Sequence, residues 1–275
     1  MKKKLWKAAM GLGTAVCLLG GMAVSASAAD ISKDTVVIFS SNSFEPFVFT
    51  KDGELTGYDV DIWNEIAERT GTTVEWSFVG DTSSDMDIYT TAIMQSMSGG
   101  IDVIALQGEP DYSTMPCTEP VAYFNATAVV PGDNTEIQTV DALDLSRVAL
   151  GASAQLVNKG AVGTLNDNLM FSIRQNLSNG DGTDMPFVNS FENITATGAV
   201  DAIVTKDILV EYALKENPDL NIRQVENYAS SAGCYEVPDE TLLNEINAVL
   251  GEMKADGTMK TISEKWFGRD VSLEE

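Results

Sequence analysis

The chain has 275 residues, with 41 acidic against 17 basic side chains, a net charge of −24 and no histidine. That acidity excludes nucleic acid and anionic membrane surfaces as partners. The missing histidine removes Ser–His and Cys–His nucleophiles, histidine-ligated zinc and imidazole acid–base chemistry.

Residues 1–28 have the layout of a signal peptide: four lysines in Met1 to Lys7, an apolar run from Ala8 to Val24, and the small-x-small triplet Ala26-Ser27-Ala28. Cleavage near Ala28 and export to the periplasmic or extracellular face of the cell membrane are expected. A retained anchor is the alternative, but Gly11, Gly13, Gly20 and Gly21 interrupt the run. Lipid attachment at Cys17 is a third option, with Val16 where a lipobox wants a small residue.

Thr35 to Phe39 is β-branched and apolar, a first strand. Phe44-Glu45-Pro46-Phe47-Val48-Phe49 places aromatics on both sides of a proline, and Lys51-Asp52-Gly53-Glu54 reads as a turn. Gly57-Tyr58-Asp59-Val60-Asp61 leads into a helix with Ile62, Trp63, Ile66 and Ala67 on one stripe, stopped at Gly71. Asp59 or Asp61 is suited to cap it, with ligand contact as the alternative role. Thr73 to Val79 is strand-like, Ile88 to Met97 helical and Ile101 to Leu106 a strand. Tyr123 to Val130 is a long apolar strand ending at Pro131-Gly132-Asp133, read as a crossing between two halves.

The second half opens with Val140 to Leu145 and the strand Val148 to Leu150. Asn176 to Asp184 is polar and glycine-bearing, an exposed loop. Val200 to Thr205 is a strand, Ile208 to Lys215 a helix, and Ser231 to Val237 the return crossing. Asp239 caps a helix striped by Leu242, Ile246, Val249, Leu250 and Met253. After Gly257 a last helix carries Met259, Ile262 and Trp266 to Gly268.

One phrase occurs twice. Gly100-Ile101-Asp102-Val103-Ile104-Ala105 returns as Ala199-Val200-Asp201-Ala202-Ile203-Val204, each after a glycine and each entering an apolar strand. A glycine stop, an acidic turn and a buried strand make half of a β-α-β unit. Its duplication suggests two α/β lobes with a cleft between them, a common place for a small molecule. Cys117 and Cys234 cannot make a metal site alone. A disulfide between them and two buried thiols are both open readings.

Four pieces in this order resemble the family 3 solute-binding proteins of amino-acid ABC transporters: Phe44 to Phe49, Gly53 to Asp61, the paired acidic turns, and Met253 to Gly268. The resemblance implies an α/β fold of the periplasmic-binding-protein-like II type, two Rossmann-like lobes joined by two crossing strands. Lobe 1 would be residues 34–129 plus 231–275, and lobe 2 residues 130–230. It implies a monomer that captures a small polar solute, an amino acid or related small acid, and hands it to a membrane permease without catalysis or cofactor. An exported enzyme similar to cyclohexadienyl dehydratase and a sensor-linked binding protein are the alternatives. Carried over position by position, the resemblance implies ligand contact at Phe44, Tyr89, Gln107, Gly108, Ser153, Ala154, Gln155, Lys206 and Asp207. It also marks departures. The stretch Glu109 to Thr114 lacks the family's carboxylate-binding arginine, Ser41 replaces an aspartate, and Lys206 stands where an aspartate would hold the ligand's ammonium. Either Lys206 pairs with an anionic group of the solute, or Asp207 takes the ammonium, or Lys206 is solvated on the rim.

Overall fold

A computed structural model describes residues 29–78, 85–108, 110, 113, 115–144, 148–150 and 201–274. Strand β1 (Thr35–Ser40) lies parallel between β5 (Thr73–Phe78) and β6 (Val103–Gly108). The hairpin β2 (Ser43–Phe44), β3 (Val48–Lys51) and β4 (Glu54–Thr56) stands off as a separate three-stranded sheet. Its β3–β4 turn has Asp52 at φ 55° and Gly53 at φ 86°, the paired positive angles of a type I′ turn.

Helix α1 (Tyr58–Thr70) buries Tyr58, Val60, Ile62, Trp63 and Ile66 and stops at Gly71 in the left-handed region. Neither expected acidic cap is used. Gly57 opens the helix without a side-chain cap, because the preceding loop supplies acceptors: Tyr58 N–H donates to the Pro46 carbonyl at 2.9 Å and Asp59 N–H to the Phe47 carbonyl at 3.0 Å. Asp59 turns inward, while Asp61 accepts from Lys265 Nζ at 2.6 Å and Trp266 Nε1 at 2.7 Å.

Two long strands cross the molecule. β7 (Ala122–Pro131) and β10 (Ile222–Glu236) run antiparallel over most of their length. The last residues of β10 pair with β6, and β7 pairs with β9 (Ala202–Lys206), which lies parallel to β8 (Val148–Leu150). The seven-strand order is β5-β1-β6-β10-β7-β9-β8. Both copies of the repeated phrase thus feed a strand parallel to the one that opens its half, with the crossing pair between them. The return crossing starts at Ile222, well before the expected Ser231. Residues 222–230 alternate polar and apolar too weakly to announce a strand, and it is pairing with β7 that extends them.

Helix α2 is Asp85–Met97, and α3 is Asp207–Glu216. The tail helices α4 (Glu240–Ala255) and α5 (Thr258–Phe267) follow the expected stripes, and Asp239 caps α4 by accepting Leu242 N–H at 2.8 Å. One core cluster joins α1, α4 and α5 to β1, β6 and β7, and it also takes in Ile208, Leu209 and Tyr212 of α3. A smaller cluster of Val129, Ile203, Val210 and Ile222 lies beneath the second half. The loop expected at Asn176 to Asp184 lies outside the described residues.

Candidate functional site

The carboxyl ends of β6 and β9 meet at the crossing strands, the end of an α/β sheet where ligands bind. Gln107, next to last in β6, is fully buried with φ 55°. Its Nε2 donates to both oxygens of Asp59, at 2.7 and 3.0 Å, and Tyr235 of β10 donates its hydroxyl to Asp59 Oδ1 at 2.9 Å. Asp59 is itself fully buried. Burial pushes its carboxyl up to about 7, against the opposing pull of the Gln107 and Tyr235 hydrogen bonds and the charge of Lys206. Burial and the adjacent Asp59 charge likewise push the Tyr235 hydroxyl well above its usual value.

The amide of Gln107 presses on β10 from its other edge. A Cβ at Gly233 would stand 2.0 Å from Gln107 Oε1, so only glycine leaves room there. That Oε1 is buried and accepts no hydrogen bond among the described residues. Gly108 pairs with Cys234 in the β6–β10 register.

Lys206 ends β9 and is 0% exposed, which removes the solvated-rim reading. Its Nζ lies 3.9 Å above the ring of Phe124 in β7, and its charge acts on Asp59. The structure therefore brings two of the expected residues, Gln107 and Lys206, to one buried carboxylate.

Asp207 opens α3 and is 2% exposed. Its carboxylate accepts from the Asn125 backbone N–H at 2.9 Å, Asn125 Nδ2 at 2.9 Å, Ile208 N–H at 2.8 Å and Arg269 Nη2 at 3.1 Å. Those donors fix the start of the helix to β7 and to the segment after α5, and they occupy the lone pairs that an ammonium would need.

Phe44 is partly buried, its ring 4.9 Å from Phe47. Tyr89 of α2 donates its hydroxyl to Glu236 Oε1 at 2.8 Å. Ser153, Ala154 and Gln155 lie outside the described residues. A cavity of about 490 Å³ borders the crossing strands, with Pro110, Phe124, Asn125, Ser230 and Arg269 on its wall. Of the expected ligand residues described, none lines it. Phe124 and Asn125 connect it to them, through Lys206 and Asp207 respectively.

Tyr235, Phe124 and Arg269 were not among the residues expected from sequence and gave no local signal. Asp59 was expected as a helix cap, with ligand contact as the alternative. Among the described residues no group of three or more His, Cys, Asp or Glu side chains is placed to hold a metal. No described helix is long and apolar enough to cross a membrane.

A family model described as bacterial extracellular solute-binding proteins, family 3, matches residues 36–269. The probable amino-acid-binding protein YxeM of Bacillus subtilis is 24% identical over 100% of this chain and 99% of its own length. The L-cystine-binding protein TcyJ of Escherichia coli is 27% identical, with 97% of each chain covered. Among solved structures, an ABC uptake transporter substrate-binding protein from Streptococcus pneumoniae with bound histidine superposes with a TM-score of 0.66 at 19% identity. It covers 88% of this chain and 95% of that one. The L-cystine solute receptor of Neisseria gonorrhoeae, unliganded and open, gives 0.59 at 22% identity, covering 89% and 97%.

Proposed function

The chain belongs to the family 3 bacterial extracellular solute-binding proteins, and from that premise we propose that it is the capture component of an ABC transporter for an amino acid or related small acid. Residues 1–28 are removed near Ala28 on export. The mature monomer holds its solute between a lobe of residues 34–129 plus 231–275 and one of residues 130–230, and presents it unaltered to a permease. The observation that carries this reading is the antiparallel pair β7–β10, which lies between the three parallel strands β5-β1-β6 and the parallel pair β9-β8 and in this reading serves as the hinge between the halves.

The site residues in this reading are Phe44, Tyr89, Gln107, Gly108, Lys206 and the segment Ser153-Ala154-Gln155. Asp207 moves from ligand contact to helix anchoring. With a cation at position 206 and no family arginine in Glu109 to Thr114, the usual pose of an α-amino acid would set ammonium against ammonium. Burial holds the nearby Asp59 carboxyl up to about 7, so it is a weak counter-charge for Lys206, and in this reading an acidic group of the solute takes that place. Relatives named for L-cystine and for amino acids supply the first compounds to try, with dicarboxylates and aromatic acids beside them.

Thermal-shift screening tests this. A true solute at 100 times its Kd should stabilise the protein by about 2.7 kcal/mol. Lys206→Met should weaken an acidic solute by tenfold or more, while unchanged affinity would confine Lys206 to its internal partners. A screen in which no small solute shifts melting, or in which the compound is consumed, would sink the capture reading.

A further inference from the structure

Cys117 and Cys234 are far apart in sequence and side by side in the fold. Cys117 lies in the segment entering β7 and forms an antiparallel bridge with Glu236 at the end of β10. Around that bridge Thr118 N–H donates to the Tyr235 carbonyl at 2.9 Å and Val237 N–H to the Pro116 carbonyl at 2.8 Å. Cys234, two residues before Glu236, therefore projects to the same side of the ladder as Cys117. The two side chains hydrogen-bond to each other.

The two thiols differ in a useful way. Cys234 is fully buried, whereas Cys117 is partly exposed. The contact with Cys234, then a hydrogen bond with Ser113, hold the Cys117 thiol below its usual value, against burial and the nearby Glu236 charge. A partly exposed sulfur whose thiol is held below its usual value, beside a shielded one, is the arrangement of an attacking and a resolving cysteine.

We propose that Cys117 and Cys234 are a disulfide-forming pair that takes a small-molecule disulfide as its oxidant. The Cys117 thiolate attacks one sulfur of the disulfide, forming a mixed disulfide and expelling one thiolate, which takes up the proton that Cys117 lost. Cys234 then attacks Cys117 Sγ, forming the protein S–S bond and breaking the mixed one. Its proton leaves on the second thiol. The protein dithiol is oxidised and the small disulfide reduced to two thiols. The bond links the segment entering β7 to the end of β10, so both crossing strands are tied at the same end of the molecule.

The experiment uses the full chain carrying Cys17→Ser, leaving these two thiols alone, and oxidised glutathione as the probe. After incubation and alkylation, intact mass should show the loss of two hydrogens and no alkyl group, and digestion should yield one cross-linked peptide pair containing both cysteines. In the same chain with Cys234→Ser, Cys117 should stop at a stable glutathione adduct that dithiothreitol reverses. The oxidised form should melt about 5–15 °C above the reduced one. Two alkylated thiols after oxidation, or a glutathione adduct that persists on Cys117 with Cys234 present, would overturn the proposal.

Discussion

Asp59 carries the sharpest residue-level consequence. Its folded carboxyl stands at about 7, against 3.8 for a free aspartate, chiefly because it is buried. Between those values the unfolded chain is ionised while the folded one keeps its proton. The folded state binds more protons there, so this group makes stability fall as pH rises from about 4 to 7. Asp59→Asn removes that dependence. The asparagine still accepts from Tyr235, and its Nδ2 can meet Gln107 Oε1 once the Gln107 amide turns over. Melting curves from pH 4 to 8 should show the variant gaining on the wild type as pH rises, by as much as about 4 kcal/mol at the top. Parallel curves would mean that Asp59 is ionised throughout. Gly233→Ala probes the other edge of the same amide. Its Cβ would need the space 2.0 Å from Gln107 Oε1, and Gln107 can yield only by releasing Asp59. A loss of roughly 1–3 kcal/mol is expected. Gln107→Ala in the same chain should recover part of it, measured by urea unfolding. Gln107 was expected at the site from sequence, but its pairing with Asp59 was not legible there. Asp59 reads as a helix cap because acids favour first turns, and its true partners lie 48 and 176 positions away.

At the scale of elements the sequence was a better guide. Hydrophobic stripes and glycine stops located α1, α4 and α5, because a helix that buries one face must show the 3.6 period itself. The crossing strand β10 was half missed, since its first residues owe their extension to β7 rather than to their own pattern. Helix α3 was located, but its fastening was not. Arg269 Nε donates to both oxygens of Glu211, at 2.9 and 2.8 Å, while Nη2 reaches the buried Asp207. Tyr212 donates to Glu45 Oε1 at 2.6 Å, and Lys215 donates to carbonyls at the end of α5. Arg269→Ala would leave the Asp207 carboxylate buried, held by amide donors alone. With the Arg269 side chain only 26% exposed, the cost should be about 1–3 kcal/mol. The Arg269→Ala, Asp207→Asn double variant should recover much of it. If the two losses simply add, the contact contributes nothing of its own.

Over the whole molecule, net charge is legible from composition alone, and it acts on the folded chain as self-repulsion. At −24 the folded chain repels itself more than the expanded one does. Several ion pairs oppose this, among them Lys51–Glu216, Lys265–Asp61 and Lys260–Glu264, but their lysines are more than half exposed, and such pairs contribute about 0–1 kcal/mol each. Salt screens both. At about 0.01 M the screening length is about 30 Å, long enough for acids on opposite faces to feel one another, and at 1 M it is about 3 Å. The long-range repulsion between many unpaired acids is lost first, while contact pairs are weakened less. Raising sodium chloride from about 0.01 to 0.5 M should therefore raise the melting temperature, with most of the gain complete by about 0.15 M. A melting temperature that falls over that range would show that local pairs, rather than the overall charge, dominate the electrostatics of the fold.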